Sequence, residues 1–261
     1  MNQNWTRIDL KMRAKEAFKK NYWAAVVVSL IVILVTAGGG VGNGRRTYTT
    51  VQDTYEEVVE RDYFDYDLDD ETEAFIDSLD APAAWGLSLL ITAFAIVVGL
   101  VVVLFKTFIG NALEVGGCKF YIENLYSNPK IGRIGYGFTS GFYLNVVKVM
   151  FLRGLFTFLW SLLFVIPGII KAYEYYMVPY LLSEYPDMTW KEASQRSRDM
   201  MYGNKMETFI LELSFLPWHL LSAITGGIVG LFYVNPYVDA TKVELYDTLV
   251  SGTQNIYYEQ Y

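Results

Sequence analysis

Long uncharged and mostly apolar runs alternate along this chain with short charged segments. The runs cover residues 21–44, 81–105, 154–170 and 213–238. A helix needs roughly 20 predominantly apolar residues to cross a bilayer, and all but the third run reach that length. The runs do not alternate between apolar and polar residues, as the strands of a membrane barrel do. The pattern therefore predicts an all-α polytopic membrane protein.

An internal repeat refines this prediction. The pattern Trp-x-Leu-Leu-x-x-Ile-(Pro/Thr)-Gly begins at Trp160 and again at Trp218, and Pro-Tyr follows each copy. The prolines of these Pro-Tyr pairs are Pro179 and Pro236, and the asparagines that open apolar runs are Asn21, Asn145 and Asn204. We interpret the unit as a helical hairpin with a tight turn, at Gly168 in one copy and at Gly226-Gly227 in the other.

A third copy of the hairpin is indicated near the N-terminus. The segment from Ile109 to Glu114 aligns with that from Val234 to Asp239, with Ala112 in place of proline. We therefore predict six transmembrane helices, as three repeated helical hairpins in one integral membrane domain that spans residues 1–261. The hairpins cover about residues 5–111, 112–186 and 187–250, and an acidic extracellular loop at 45–80 interrupts the first turn.

Two amphipathic segments are predicted to lie at the membrane surface. Residues 5–20 combine an apolar stripe with six lysines and arginines. Residues 189–201 repeat the pattern, and Thr189 with Glu192 forms the signature of a helix-capping box. Such helices favour an anionic cytoplasmic leaflet. An alternative for the first segment is the basic start of a signal peptide, although the apolar run that follows is longer than usual.

The distribution of positive charge decides between four and six spans. Hydropathy alone gives four spans, which place Lys191, Arg196, Arg198 and Lys205 outside. Six spans keep these residues inside, with both termini cytoplasmic. Because lysine and arginine accumulate on the cytoplasmic side, the sequence favours six spans.

The composition limits the kinds of functional site that the chain can form. The chain is 53% hydrophobic and only 19% charged, with one cysteine and one histidine. Cys118 cannot form an intramolecular disulfide, and with His219 it is too little for a zinc site. No cofactor, metal site or nucleic-acid signature is expected.

One group of aspartates in the acidic loop suggests a calcium site. Asp65, Asp67 and Asp69 have the spacing of a calcium-binding EF-hand loop. Asp70 stands where that loop needs glycine, and Ile76 stands where it needs a bidentate glutamate. A solvated acidic loop is the simpler interpretation, with weak cation binding as the alternative.

Four ionisable residues inside or beside the spans are candidate functional residues, because charge is costly in lipid. Arg153 and Glu212 each follow an opening asparagine by eight residues. That spacing puts both about 12 Å into their helices, so an Arg153–Glu212 ion pair is a hypothesis. Lys171 and Glu174 are three residues apart and share a helix face, where they can pair.

Several of these segments resemble one bacterial family. The segments are Met150 to Arg153, Leu159 to Lys171, Met177 to Tyr180, Met200 to Lys205 and Glu114 to Gly117. Together they are similar to the integral membrane family catalogued as domain of unknown function 975, over most of the chain except the acidic loop. The Pro-Gly-Ile turn is also similar to the membrane domain of some glycerophosphodiester phosphodiesterases. The resemblance implies a multi-span bacterial membrane protein and no particular activity.

We expect a non-enzymatic plasma-membrane scaffold or accessory factor, with a possible protein partner in the membrane. The alternative is a small transporter or lipid-handling protein that uses a polar seam around Arg153 and Glu212. No pattern of nucleophile and base predicts an enzyme.

Overall fold

The computed structural model of the protein describes residues 5–37 and 81–259. The acidic loop, with its Asp65-Asp67-Asp69 spacing, lies outside these ranges. The chain divides into two compact units, residues 1–38 with 106–261 and residues 39–105. The described residues contain helices and no strand, which agrees with the predicted all-α class.

Within each described range, the helices follow one another with short connections. The α-helices are α1 (Arg7–Lys20), α2 (Tyr22–Ala37), α3 (Ala81–Phe105), α4 (Asn111–Tyr126), α5 (Tyr136–Thr139), α6 (Tyr143–Leu163), α7 (Val165–Glu174), α8 (Val178–Glu184), α9 (Trp190–Met201), α10 (Lys205–Leu213), α11 (Leu216–Ile224) and α12 (Asn235–Glu259). Two π-helices, π1 (Lys106–Gly110) and π2 (Gly230–Val234), precede α4 and α12, and a short 3-10 helix spans Ile131–Gly135.

The second hairpin turns earlier than the sequence predicts. The backbone of Phe164 is extended and separates α6 from α7, whereas Gly168 lies inside α7. Pro167 is tolerated because it occupies the first turn of α7, where backbone N–H groups have no helical acceptor. Gly168 serves helix packing instead. A Cβ atom there would lie 2.6 Å from the Cα atom of Ser161, so only glycine lets α7 approach α6 so closely.

The third hairpin turns where the sequence predicts. Gly226 and Gly227 have φ angles of +61° and +87°, a left-handed conformation that favours glycine. Gly230 then packs against Ser222, whose Oγ atom would lie 2.2 Å from a Cβ atom at that position. Both hairpins therefore bring their two helices together through a serine and a glycine.

The returning helix of each hairpin is broken at the same point of the repeat. The α-helical geometry is lost at π1, at the turn of residues 175–177, and at π2. Regular α-helix resumes directly afterwards, at Asn111, Val178 and Asn235. The three breaks fall at positions that the predicted repeat aligns, and π-helices of this kind are frequent at functional sites.

The opening asparagines of the first two hairpins act as clasps. The side-chain amide of Asn21 donates to the carbonyl of Pro129 at 3.1 Å. The amide of Asn145 donates to the carbonyls of Pro186 and Met188, both at 2.8 Å. In each case the acceptor lies just beyond the end of the returning helix, so the asparagine ties the entry of a hairpin to its exit. Asn204 bonds within its own turn, to Met200 and Tyr202.

The structure contains helices that could span a membrane, but fewer of them than the sequence predicts. Two helical runs, Leu89–Tyr126 and Tyr143–Leu163, are long and apolar enough to cross a membrane, and α1 with α2 makes a third if the pair, bent by 102°, counts as one span. Six transmembrane helices are not confirmed. The last predicted span, π2 with α12, is not among the runs that qualify, and the fourth and fifth are split into α7 with α8 and α10 with α11. Each piece is shorter than a bilayer-spanning helix.

Large apolar side chains cover much of the surface around the second turn. Leu162, Val165 and Ile166 are each more than 70% exposed, and Ile224 near the third turn is 83% exposed. Apolar exposure on this scale is unfavourable in water and marks contact with lipid or protein. The two hairpin tips therefore have the surface of membrane-embedded segments.

Candidate functional site: a polar seam beside the helix breaks

Charged side chains gather in the interior close to the three helix breaks. We call this group the polar seam and define it by eight residues, Glu114, Arg153, Lys171, Glu174, Lys205, Glu212, Asp239 and Lys242. All four candidate residues chosen from the sequence belong to it, although their partners differ from those predicted.

Arg153 pairs with Glu114 and not with Glu212. Its Nη1 atom donates to Oε1 of Glu114 at 2.9 Å, and the two side chains are 18% and 20% exposed. Glu114 lies in the first turn of α4, directly after π1. The predicted Arg153–Glu212 pair is therefore wrong. Equal depth on two helices did not bring the groups together, because the third returning helix supplies the partner of Glu212.

Glu174 holds two lysines. Its Oε2 atom accepts from Lys171 at 2.6 Å, so the predicted pair with three-residue spacing is confirmed. Its Oε1 atom accepts from Lys205 at the start of α10, at 2.8 Å. The contact with Lys205 brings the end of α7 next to the first turn of α10.

Ser197 of α9 stabilises the break next to Glu174. Its hydroxyl donates to the carbonyl of Glu174 at 2.7 Å and accepts from the backbone N–H of Met177 at 3.1 Å. Both backbone groups would otherwise lack a partner where α7 ends, and an unpaired buried backbone group is costly. The capping box that starts α9 is confirmed, with Thr189 and Glu192 exchanging both hydrogen bonds.

Glu212 is held by two tyrosines and a lysine. It accepts hydrogen bonds from the hydroxyls of Tyr173 and Tyr176 at 2.6 and 2.7 Å, and the ammonium of Lys242 lies 3.5 Å away. The same ammonium lies 5.4 Å from the ring centre of Tyr176, a cation–π distance. Parts of α7, α10 and α12 therefore meet at this carboxylate.

Asp239 links α12 to α2 through hydroxyl groups. The hydroxyl of Ser29 donates to Asp239 at 2.6 Å and lies 2.7 Å from the hydroxyl of Tyr121. Tyr121 in turn donates to the carbonyl of Ala25 at 2.9 Å. Ser29 and Tyr121 are buried. Sequence reasoning missed this network, because a single serine in an apolar run and an aspartate at the end of one are common.

The groups of the seam lie close enough to influence one another. Half-buried Cys118 is within electrostatic range of Glu114, Asp239, Arg153 and Lys242. The seam carboxylates are well satisfied, because Glu114, Glu174 and Glu212 each contact a basic side chain in the described structure. Ion pairing of this kind offsets part of the cost of removing charge from water. The described residues contain no cluster of three or more His, Cys, Asp or Glu side chains suited to a metal ion.

A second set of contacts ties the three hairpins together beyond the seam. Arg13 of α1 pairs with Glu244 of α12 at 3.2 Å. The hydroxyl of Tyr246 donates to Glu184 at the end of α8, and that of Tyr126 at the end of α4 donates to Asp247. The second half of α12 therefore contacts α1, α4 and α8. Burial raises the pKa of Glu244, and the nearby Arg13 guanidinium opposes that rise.

Comparison with known families now identifies part of the chain. Residues 161–252 match the family described as protein of unknown function, DUF975. This stretch is similar to that family. The match confirms the resemblance seen in the sequence, over a shorter range than that resemblance covered, since the segments around Glu114 and Arg153 lie outside it. No curated protein and no solved structure matches the chain.

The matched segment contains the larger part of the polar seam. Lys171, Glu174, Lys205, Glu212, Asp239 and Lys242 all lie within residues 161–252. Of the predicted candidates, only Arg153 falls before it. The helix breaks at residues 175–177 and at π2 also lie within residues 161–252. Two of the three breaks and most of the seam therefore lie in the matched segment.

Proposed function

We propose that this protein is a multi-pass plasma-membrane protein of bacterial type with a non-enzymatic role, acting as a scaffold or accessory factor. One observation carries the proposal. The interior acids Glu114, Glu174 and Glu212 bind basic or tyrosine side chains of neighbouring helices, so these charges are used to join helices. Because these carboxylates already bind side chains of the protein, the arrangement favours a fixed helix assembly over a reaction site.

Six spans with cytoplasmic termini remain the arrangement that we propose. The exposed apolar tips of the second and third hairpins support it, as does the broken but continuous course of α7 with α8 and of α10 with α11. Broken helices cross membranes where the freed backbone groups are buried in protein. Ser197 supplies such a partner at the break of the second hairpin.

A transporter or lipid-handling role is the second candidate, and the aligned helix breaks favour it. Broken helices in repeated units often surround the substrate site of a transporter. Here the breaks adjoin the polar seam, which is where a polar substrate would be bound.

Native mass spectrometry of the protein released directly from its own membrane separates the two roles. A scaffold or accessory factor should retain a stoichiometric protein partner. A transporter should retain a small polar molecule, and its retention should fall in Glu212→Gln. Release of a bare monomer with neither adduct would contradict both proposals.

A further inference from the structure

The contacts of Glu174 leave an excess of positive charge at one place in the seam. One carboxylate lies between two ammonium groups, at 2.6 Å from Lys171 and 2.8 Å from Lys205. The three side chains together carry one net positive charge. Glu212, by comparison, has one lysine at ion-pair distance. The lysines are also more accessible than the carboxylate, at 23% and 33% exposure against 13%.

Both ammonium groups keep hydrogen-bond donors for a further acceptor. An ammonium has three N–H donors, and each lysine gives one to Glu174 among the contacts of the described residues. Lys171 also lies 5.3 Å from the ring centre of Trp160, which stabilises the cation without using a donor. The remaining donors of the two lysines suit the oxygens of a phosphate group, which binds ammonium groups strongly.

Apolar side chains flank the two lysines on both helices. Ile170 precedes Lys171 on α7 and is 46% exposed, and Met206 follows Lys205 on α10 and is 67% exposed. Between the helices, the ring of Phe209 meets Tyr173 edge-on. A charged pair bordered by exposed apolar groups is the surface that an amphipathic molecule fits, with its charged end on the lysines and its chains along the apolar side chains.

We propose that Lys171 and Lys205 bind the phosphate of an anionic phospholipid, whose acyl chains lie against Ile170, Met206 and Phe209. Because Lys205 is the first residue of α10, the site lies at the end of an apolar helix, where headgroup phosphates are found in a bilayer. The excess positive charge favours a net-anionic lipid over a zwitterionic one. The site rests on the membrane insertion proposed above and is independent of the scaffold role.

Lipid retention by native mass spectrometry tests the site. The protein is placed in nanodiscs of phosphatidylglycerol and phosphatidylcholine in equal parts, with matched acyl chains. The unaltered protein should retain phosphatidylglycerol in preference. Lys171→Gln and Lys205→Gln should each lower that preference about tenfold, since each removes charge-assisted hydrogen bonds. Lys148→Gln, which changes an exposed lysine at the start of α6, is the matched control and should leave the preference unchanged.

Glu174→Gln separates lipid binding from a purely structural role. Removing the carboxylate takes away the competitor for both ammonium groups, so retention of phosphatidylglycerol should rise. Lys171→Arg and Lys205→Arg keep the charge and should keep the preference, even where the glutamine variants fold poorly. A lipid preference equal in all folded variants would overturn the proposal. So would displacement of the adduct by excess inorganic phosphate, which would indicate a site for free phosphate. Neither result bears on the protein-partner test of the scaffold role.

Discussion

At the scale of single residues, charge is tolerated in the interior because each carboxylate meets groups of suitable chemistry. Glu114 meets a guanidinium, Glu174 meets two ammonium groups, and Glu212 meets two hydroxyls and an ammonium. Removal of any of these partners would leave a charge unpaired in an apolar environment. The identity of each partner was decided by packing, and the Arg153–Glu212 pairing inferred from depth alone was wrong.

A double-mutant cycle tests the Arg153–Glu114 pair. Arg153→Met and Glu114→Gln should each lower the free energy of unfolding, by up to about 3–5 kcal/mol, because each leaves an unpaired charge. The double variant should lose clearly less than the sum, since the second change removes the charge left behind. Thermal unfolding in detergent measures all three variants.

The matched control is the pair that the sequence suggested. Arg153→Met combined with Glu212→Gln should show additive losses, because Glu212 binds Lys242 and two tyrosines instead. Strong coupling between Arg153 and Glu212, with none between Arg153 and Glu114, would contradict the arrangement described above.

The pH dependence of stability tests the burial of Glu244, whose carboxyl lies outside the apolar half of the last helical run. Burial raises its pKa above the ordinary 4.5, opposed by Arg13 and reinforced by Asp247 and Glu16. The folded state therefore binds the proton more tightly than the unfolded state. The stabilising contribution of Glu244 is complete below pH 4.5 and is lost as pH rises through the raised pKa.

The measurement compares the unaltered protein with Glu244→Gln. As pH rises through this window, the melting temperature of the unaltered protein should fall relative to that of the variant. A difference between the two that stays constant with pH would show that the carboxyl titrates alike in both states.

At the scale of elements, glycine and serine decide how closely the hairpin helices approach. Gly168 lies against Ser161 and Gly230 against Ser222, so a side chain at either glycine would meet an atom of the opposite helix. Small residues that let two backbones come together are typical of helix packing in membranes. The packing glycines do not make the turns. Phe164 makes the turn in one hairpin, and Gly226-Gly227 makes it in the other.

Alanine substitutions test this packing. Gly168→Ala should lower the free energy of unfolding by about 1–3 kcal/mol, because the added methyl group overlaps the backbone of Ser161. Gly154→Ala is the matched control. It lies within α6 with nothing within 4 Å of its Cβ position, so the unfolding free energy should stay the same or rise. Equal losses in the two variants, measured by thermal unfolding, would contradict the close approach of α7 to α6.

At the scale of the whole molecule, the three predicted hairpins have the same order of elements along the chain. Each enters through an apolar helix and returns through a helix that is broken at an aligned position. The first two close with an asparagine clasp, whereas the third continues into α12, against which α1 packs through Arg13 and Glu244. The longer last helix thus replaces a clasp with contacts to the ends of the other hairpins.

Cysteine labelling tests the six-span arrangement. In a variant with Cys118 replaced by serine, Gln195→Cys on an exposed face of α9 should resist membrane-impermeant reagent in intact cells. Asp67→Cys, in the acidic loop that both arrangements place outside, should react. Ready labelling at position 195 from outside would favour four spans, because that arrangement puts α9 outside.

By itself the sequence determined the all-α class, the turn at Gly226-Gly227, the capping box of α9, the Lys171–Glu174 pair and the resemblance of residues 161–252 to DUF975. These follow from local patterns, since periodicity, spacing and motif residues act within a few turns of chain. Only the tertiary structure decided that Arg153 binds Glu114, that Glu212 binds Lys242, that the helices break beside the seam, and that Gly168 packs instead of turning. Each of these depends on which helices become neighbours, and the energy of a buried charge or a close backbone contact is set by groups distant in sequence.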